Sequence, residues 1–488
     1  MAQVQALQDY VDSQDASPFV SVTESMTDQT ETPVSITTEN ATYALRIQSN
    51  RFHDDNTLYS SHQLKKLIKR DLSNRVAQIG ADIAGIMFPD TAFGFPINDQ
   101  FLHNFYESFL SSEGFDPANF NDEERTAAFL NRMISTVAHF LDATKQVSFK
   151  PLRYFTSANS NIPLKGHVIK RKPDIILDRL IDGYVPEGTL EWRNVQAIIE
   201  HTREKSRPQR MSDTVSSKSY LTFCTQPERD FLVCLCITGK GFHIVMTDHV
   251  GQVETDVIPF QIAGGSLIFV RMVMGLAFLP DSLIGIDSSF TRNEARKPSK
   301  IAFATLYQPF KYKNQNPSII LLAPSSVTST PTSTPMSSTP MSSEGISTIS
   351  VGPIVYKVIS VLFRSQTLIG RATKVFLVEL PDGRTGVLKD SWITVDRPKE
   401  ADFLQGLDIP FGPKLIDHCV LRNTETFRQL LSDNRRPLNY EIREKRRVVT
   451  YPAGVHISDF TSLWELIVAF LDIVIGTEDW LLLAFLAF

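Results

Sequence analysis

Cysteine is scarce in this sequence: Cys224, Cys234, Cys236 and Cys419 are the four in 488 residues. They form no Cys-x-x-Cys pair and show no Cys/His spacing of a zinc module, so the sequence predicts neither a disulfide framework nor a structural zinc site. So few unpatterned cysteines are typical of a reducing compartment. We therefore expect an intracellular protein, in the cytoplasm or the nucleus.

Long uninterrupted apolar runs are also lacking. The N-terminus, MAQVQALQDYVDSQDASPF, is polar and acidic and has no apolar core of a secretory signal. Acidic residues interrupt the apolar stretch 463–488, and its charge-free end, WLLLAFLAF, is far shorter than the ~20 residues of a spanning helix. We expect no membrane contact.

The charges are nearly balanced, with 49 Lys plus Arg against 54 Asp plus Glu and a formal net charge of −5. This balance argues against a phosphate-binding surface over the whole molecule but leaves local basic patches open. Hydrophobic residues make up 42% of the chain and charged residues 21%, which is typical of folded globular proteins. The length predicts two to four domains.

The pattern along the chain predicts an α+β multidomain protein. A flexible polar leader precedes a helical N-terminal region, a mixed α/β domain and a connecting segment. A disordered Ser/Thr/Pro-rich linker then leads to a second, β-rich folded part. The predicted boundaries of these six segments are 1–42, 43–150, 151–290, 291–323, 324–350 and 351–488.

Three helices are predicted in the helical region. The first has apolar residues at a 3.6-residue period from Leu64 to Val76, the second covers 99–111, and the third covers 121–144 with Asn121 or Asp122 as its N-cap. From about residue 165 the period changes to two, and consecutive strands at 231–262 predict an antiparallel meander. Helices are predicted near 213–223 and 266–278.

The strongest chemical signal lies at residues 368–404. The segment LIGRATKVFLVELPDGRTGVLKDSW places Gly370 and Val375 before a hairpin and Lys389 at the end of an apolar strand. A loop that covers nucleotide phosphates needs a glycine, a β-branched residue to pack on the base and a strand lysine to reach the phosphates. Glu400, on a short predicted helix, could hold that lysine. Taken alone, the same residues also fit an ordinary surface hairpin.

Together with RRVVTYPAGVHISDFTSLWELIVAFLDIVIG, and with RKPDIILD and WRNVQAIIE upstream, these motifs resemble the fungal-type protein kinase family over most of residues 160–476. The resemblance implies a kinase-like N-lobe, ATP and Mg²⁺ as cofactors, and phosphorylation of Ser or Thr. It implies that Gly370 to Val375 cover the nucleotide and that Lys389 binds phosphate with Glu400 as its partner. It further implies that Val449 to Gly454 form the hinge that lies against the adenine.

The sequence departs from the family pattern after this hinge. No His-Arg-Asp catalytic loop and no Asp-Phe-Gly follow, and Asp459-Phe460 is succeeded by Thr461. The catalytic base and the metal-binding Asp that phosphoryl transfer requires are therefore missing, and the C-lobe is incomplete. We expect ATP binding at most and no turnover, in a truncated or mis-predicted gene product or, alternatively, a pseudokinase.

A second pattern lies in the α/β domain. Asp174 follows Pro173, and Glu200 closes the apolar strand VQAIIE, so two carboxylates at strand ends could hold a metal ion. The arrangement resembles a degenerate restriction-endonuclease-like motif of the Pro-Asp…(Asp/Glu)-x-Lys type. Thr202 occupies the lysine position, and Lys205 would lie on the opposite face of the strand. An ordinary carboxylate pair, an inactive nuclease-like scaffold and an active nuclease all remain open.

Two basic runs could bind nucleic acid, namely KRK at 170–172 and REKSRPQR at 203–210, although most such runs are solvated loops. Besides the kinase homologue and the nuclease, a non-catalytic scaffold that binds protein or nucleic acid is therefore a further hypothesis. The sequence does not identify protein partners.

Overall fold

The computed structural model describes residues 61–105, 120, 122–143, 150–167, 169–202, 208–238, 241–260, 263–310, 345–365, 367–405, 412–424, 441–454, 462–464 and 466–472. Contacts divide the chain into Met1–Gln48 and Ser49–Phe488, and every described residue belongs to the second unit. The predicted leader 1–42 and residues 324–344 of the predicted linker lie outside the described residues.

The helices of the N-terminal region match the predicted period in part. Their bounds are α1 (Ser61–Asp71), α2 (Ile83–Met87), α3 (Asp90–Phe93), α4 (Asp99–Phe105) and α5 (Glu123–Ala143). The third predicted helix is confirmed as α5. Its N-terminus is capped by Asp122, whose Oδ1 accepts the N–H of Arg125 at 2.7 Å. One face of α5, including Leu130, Ile134 and Leu141, is buried.

The first predicted helix ends earlier than its apolar period indicates. Asn74 adopts φ 57°, a left-handed conformation that a helix cannot continue through. Val76–Ile79 then forms strand β1, which pairs in parallel with β8 (Gln252–Thr255). The placement of Val76 on a helix was therefore wrong, because pairing with a strand about 175 residues away outweighs the local period.

The first sheet has eight strands. Besides β1 and β8, they are β2 (Arg153–Thr156), β3 (Ile175–Arg179), β5 (Ala197–Thr202), β6 (Phe231–Thr238), β7 (Gly241–Asp248) and β9 (Ile258–Pro259). The order is β1-β8-β7-β6-β5-β3-β2, and β9 pairs with β7. The predicted meander is confirmed, since β6, β7 and β8 pair antiparallel in sequence.

Helices cover both faces of this sheet. Besides α1 and α5 they are α6 (Pro208–Thr225) and α7 (Ala263–Phe278). Alternate residues of β6 belong to different apolar clusters, Val233 to the cluster that includes α5 and α7, and Cys234 to the cluster that includes α1 and α6. Because both faces are buried, the strand FLVCLCIT is apolar at nearly every position rather than at every second one.

A second sheet follows, with the order β10-β12-β13-β14-β15-β17-β16. Its strands are β10 (Phe290–Arg292), β12 (Ile346–Val351), β13 (Ile354–Arg364), β14 (Lys374–Glu379), β15 (Thr385–Thr394), β16 (Lys414–Asn423) and β17 (Arg443–Tyr451). A separate small sheet pairs β4 (Tyr184–Glu187) with β11 (Lys297–Ala302), and two short helices are α8 (Phe303–Leu306) and α9 (Glu400–Leu404). The predicted hairpin at 381–383 is confirmed between β14 and β15.

The linker does not separate two independent folded parts as the sequence predicted. Strand β10, before the linker, pairs antiparallel with β12, after it, through Phe290 opposite Ile349. Residues 346–350, predicted to be linker, belong to β12. The physical reason is that Phe290 and Ile349 are buried in the same core as Phe376 and Leu388, so both sides of the linker contribute to one apolar cluster.

A buried ion network joins the two sheets. The ammonium of Lys445 lies 2.9 Å from Asp230 and 2.5 Å from Asp287, and Arg447 binds both oxygens of Asp390 at 2.6 Å. Lys445 is 1% exposed and Arg447 0%. Burial would raise the pKa of Asp287, but the charges of Lys445 and Arg447 hold it well below its ordinary value. The network thus consists of ion pairs that are almost completely removed from water.

His249 fills the space between the sheets beside this network. Its ring lies 4.6 Å from that of Phe223 and 5.7 Å from that of Trp392, measured between centroids. Burial, with the charge of Lys374 and more weakly that of Lys445 nearby, lowers the pKa of His249 to about 3. The folded protein therefore contains this imidazole in its neutral form.

Among the described residues, no helix combines the length and the apolar character needed to cross a bilayer.

Replacing Lys445 should destabilise the protein strongly. In Lys445→Met, Asp230 and Asp287 lose their nearest cation, while Arg422 and Arg447 stay 3.5 Å and 3.3 Å away, and such broken buried pairs cost about 3–5 kcal/mol. Urea unfolding measures the loss. The matched control is Lys357→Met, whose pair with Glu379 is solvent-exposed and contributes roughly 0–1 kcal/mol. Equal losses in the two variants would show that the network does not hold the sheets together.

The stability of the protein should fall on acidification because of His249. The unfolded imidazole takes up a proton near pH 6.5, while the folded one stays neutral down to pH about 3. Each pH unit in this interval therefore lowers the free energy of unfolding by about 1.4 kcal/mol. From pH 6.5 to 5, wild type should lose roughly 2 kcal/mol more unfolding free energy than His249→Gln. The control, His418→Gln, removes an exposed histidine. Parallel pH profiles for wild type and His249→Gln would contradict the assignment.

Candidate nucleotide site

The structure brings Lys389 and Glu400 into direct contact. Lys389 lies on β15 and Glu400 opens α9, and the ammonium lies 2.8 Å and 3.0 Å from the two carboxylate oxygens. Both side chains are partly open to solvent, at 37% and 47% exposure. An ion pair this exposed adds only about 0–1 kcal/mol to stability, so the fold does not depend on it.

Apolar side chains surround Lys389 on the same face of the sheet. Val375 on β14 and Val448 on β17 are its directly opposite neighbours, and Leu377 and Val387 lie two residues further along their strands. Val375, Leu377 and Val387 are half-buried. The face thus combines an amine, a carboxylate and a partly exposed apolar surface. Val375 and Lys389, selected from the sequence, are neighbours here.

Arg446 positions the helix that bears Glu400, and the sequence interpretation missed it. Its guanidinium donates to the carbonyls of Pro398 and Arg397, both at 2.8 Å, in the segment that leads into α9. Ala401 is buried at 3% exposure and anchors the helix from within. The run RRVV could not indicate this role, because hydrogen bonds from arginine to distant backbone carbonyls leave no pattern in the sequence.

Gly454 lies beyond the end of β17 at the β15 side of the sheet. The preceding residue, Ala453, donates its N–H to the carbonyl of Thr385 at 3.4 Å. Gly454 is exposed, and an added Cβ would meet no atom within 4 Å. Gly454 and Val387, two residues after Thr385, therefore approach the same end of the Lys389 face.

Gly370 is not beside Lys389. It lies in the loop 365–373 between β13 and β14, and its N–H donates at 2.9 Å to the carbonyl of His249, in the turn between β7 and β8 of the first sheet. Leu368 is fully buried in the apolar cluster that contains Tyr220 and Phe223 of α6. Both residues at the tip of this loop, Leu368 and Gly370, thus contact the first sheet and its helices.

Both ends of the loop are attached in the same way. Arg364 donates to the carbonyl of Cys224, and the buried ammonium of Lys374 donates to the carbonyl of Pro227. Lys374 is paired across the strands with Asp390, which points to the opposite face from its neighbour Lys389. The first sheet and its helices therefore hold the loop on the side of the second sheet that faces away from Lys389.

A second group of polar side chains lies in the first sheet. Asp174 precedes β3 opposite Glu200 on β5, and its Oδ2 accepts the N–H of His201 at 2.8 Å. The ammonium of Lys218, on α6, contacts the carboxylate of Glu200, and both are buried. Burial raises the pKa of Glu200 to about 7, against the opposing effect of Lys218.

Lys218 was missed by the sequence interpretation, which looked for a lysine two residues after Glu200. It reaches the carboxylate from a helix, 18 positions along the chain, so strand spacing could not identify it. Lys205 and residues 203–207 lie outside the described residues. Of the basic run 170–172, Lys170 and Lys172 are exposed just before Asp174. Within the described ranges no group of three or more His, Cys, Asp or Glu could hold a metal ion.

Comparison with known proteins agrees with the kinase resemblance. A family model described as "Fungal protein kinase" matches residues 172–445, which is more than half of the chain. No curated protein and no solved structure matches. The matched region includes the first sheet from before β3 as well as Lys389 and Glu400. The chain belongs to the fungal protein kinase family.

Proposed function

We propose that this chain binds ATP on the Lys389 face of the second sheet. The contact between Lys389 and Glu400 is the observation that carries the proposal. A strand-borne lysine held by a helix glutamate is the arrangement with which protein kinases bind nucleotide phosphates. Glu400 keeps the ammonium above the face, where it can donate to phosphate oxygens.

The apolar surface beside Lys389 supplies the site for the base. Val375, Leu377 and Val387 are half-buried, so a planar adenine packed on them would remove further apolar area from water. The segment at Ala453 and Gly454 borders the same end of the face, and the backbone of the exposed Gly454 would offer hydrogen bonds to the edge of the base. The partly exposed Lys389 then lies where the phosphates would be.

Binding without turnover is the activity we propose for these 488 residues. After Glu400 the sequence contains two histidines, His418 and His456, and neither is followed by Arg-Asp. Phosphoryl transfer relies on the Asp of that motif to orient the acceptor hydroxyl and on a second Asp to hold magnesium. Mg²⁺ would arrive as the complex with ATP. This role fits a protein of the cytoplasm or nucleus whose binding partners are other proteins.

Removing the lysine should weaken ATP binding without unfolding the protein. A charged hydrogen bond to phosphate contributes about 1.5–3 kcal/mol, so the Kd of Lys389→Ala for MgATP should rise about tenfold or more. Isothermal titration calorimetry on the full chain measures it, and the urea midpoint should stay within error because the pair is exposed.

Lys357→Ala is the matched control, since it also removes an exposed, glutamate-paired lysine of the same sheet. Its affinity for MgATP should equal that of wild type. An equal Kd for wild type and Lys389→Ala would disprove the proposed site. Sustained formation of ADP by wild type, lost in Lys389→Ala, would disprove the absence of turnover.

A second candidate function is metal-dependent cleavage of nucleic acid in the first sheet. The contact of Lys218 with Glu200 favours it, because this lysine stands where the sequence pattern lacked one. Asp174 and Glu200 could share a divalent cation, while an ammonium beside them orients water or stabilises developing charge. Exposed Lys170 and Lys172 would bind the phosphate backbone. Without cleavage, the same surface would serve as a nucleic-acid-binding scaffold.

This candidate predicts Mg²⁺-dependent cleavage of DNA or RNA that disappears in Asp174→Ala. Asp256→Ala, which removes an exposed acid of the same domain, should cleave like wild type. A gel assay with and without EDTA gives the answer. Binding that weakens with salt but produces no cleavage would leave only the scaffold hypothesis. The absence of both binding and cleavage at low salt would rule out the nuclease and the nucleic-acid-binding scaffold.

A further inference from the structure

The loop 365–373 occupies a position that excludes it from the nucleotide face. Its anchor, Leu368, is 0% exposed in the core of the first sheet, while the side chain of Lys389 points to the other face of the second sheet. A loop can cover bound phosphates only if its glycine reaches the lysine side. With Leu368 buried and the N–H of Gly370 bound to His249, the loop is held on the other side.

The docked loop has an unfavourable backbone that the contacts must offset. Gly370 has φ 131°, and Ala372 has φ 41°, a left-handed conformation that disfavours a residue with a Cβ. Such conformations persist only where the surroundings impose them. Three contacts impose them here. Leu368 is buried, the N–H of Gly370 donates to the carbonyl of His249, and the N–H of Trp392 donates to the carbonyl of Arg371 at 2.7 Å.

We propose that the first sheet and its helices act as a built-in clamp that holds the loop 365–373 away from Lys389, and that ATP binds tightly only when Leu368 leaves its pocket. The inference rests on the proposed nucleotide site and adds its regulation. Leu368 and His249 are positioning residues here, because they act through the loop and not on the nucleotide.

Population shift sets the expected size of the effect. When the binding-competent state is a small fraction of molecules, the apparent Kd rises by the inverse of that fraction. Shortening the anchor in Leu368→Ala should release the loop and lower the apparent Kd for MgATP about tenfold or more. The charged groups of the nucleotide face stay unchanged.

The experiment uses the full chain and two measurements on each variant. Calorimetry gives the Kd for MgATP, and limited trypsin digestion with mass spectrometry gives the rate of cleavage after Arg371, which is slow while its carbonyl is bound to Trp392. The matched control is Leu380→Ala, a leucine that is also buried, at 3% exposure, but lies in the apolar cluster of the second sheet by the β14–β15 hairpin. It should change neither the Kd nor the cleavage rate after Arg371.

Faster cleavage and tighter ATP binding in Leu368→Ala alone would establish the clamp. Faster cleavage with an unchanged or weaker Kd would overturn it, as would equal cleavage in Leu368→Ala and wild type. Adding Lys389→Ala to Leu368→Ala distinguishes the two proposals. If the double variant binds as tightly as Leu368→Ala, the proposed nucleotide site fails; if it binds weakly while Leu368→Ala equals wild type, only the clamp fails.

Discussion

The arrangement of the two sheets depends on a buried network of ion pairs. Its members are Lys445, Arg447, Asp230, Asp287 and Asp390. These ion-paired groups are almost without water, so each is tolerable only while its partners stay in place. Lys445, Arg447 and Asp390 lie on strands of the second sheet, whereas Asp230 immediately precedes β6 of the first sheet. Sliding or separating the sheets would leave single charges in an apolar environment, and the two sheets are therefore held in one relative position.

That position determines which face of the second sheet remains for function. Arg447 and Asp390 occupy the face toward the first sheet, and because strand residues alternate, Lys389, next to Asp390, must point to the other. The same strand thus contributes to the interface and to the candidate nucleotide site. The loop 365–373 follows the interface, since Lys374 and Leu368 are drawn to the first sheet, and this separates Gly370 from the lysine with which the family pattern groups it.

Local patterns predicted the features that depend on neighbours in sequence. Helix α5 with its Asp122 cap, the meander β6-β7-β8 and the β14–β15 hairpin follow from period, capping and turn residues. The sequence interpretation was wrong where distant segments meet. Val76 joined a strand instead of a helix, and β10 paired with β12 across the linker, because long-range pairing and burial are not encoded in a local window.

For the candidate sites, the sequence by itself determined which residues can do chemistry: Lys389 and Glu400 eleven residues apart, Asp174 and Glu200 at strand ends. Their residue types and their spacing along strands and short helices contain that information. Only the tertiary structure decided that Lys218 reaches Glu200 from a helix, that Arg446 positions α9, and that Gly370 contacts His249. The physical reason is that the alternation of side chains can be read within a single strand. Ion pairing and burial, in contrast, join segments that can be any distance apart in the sequence.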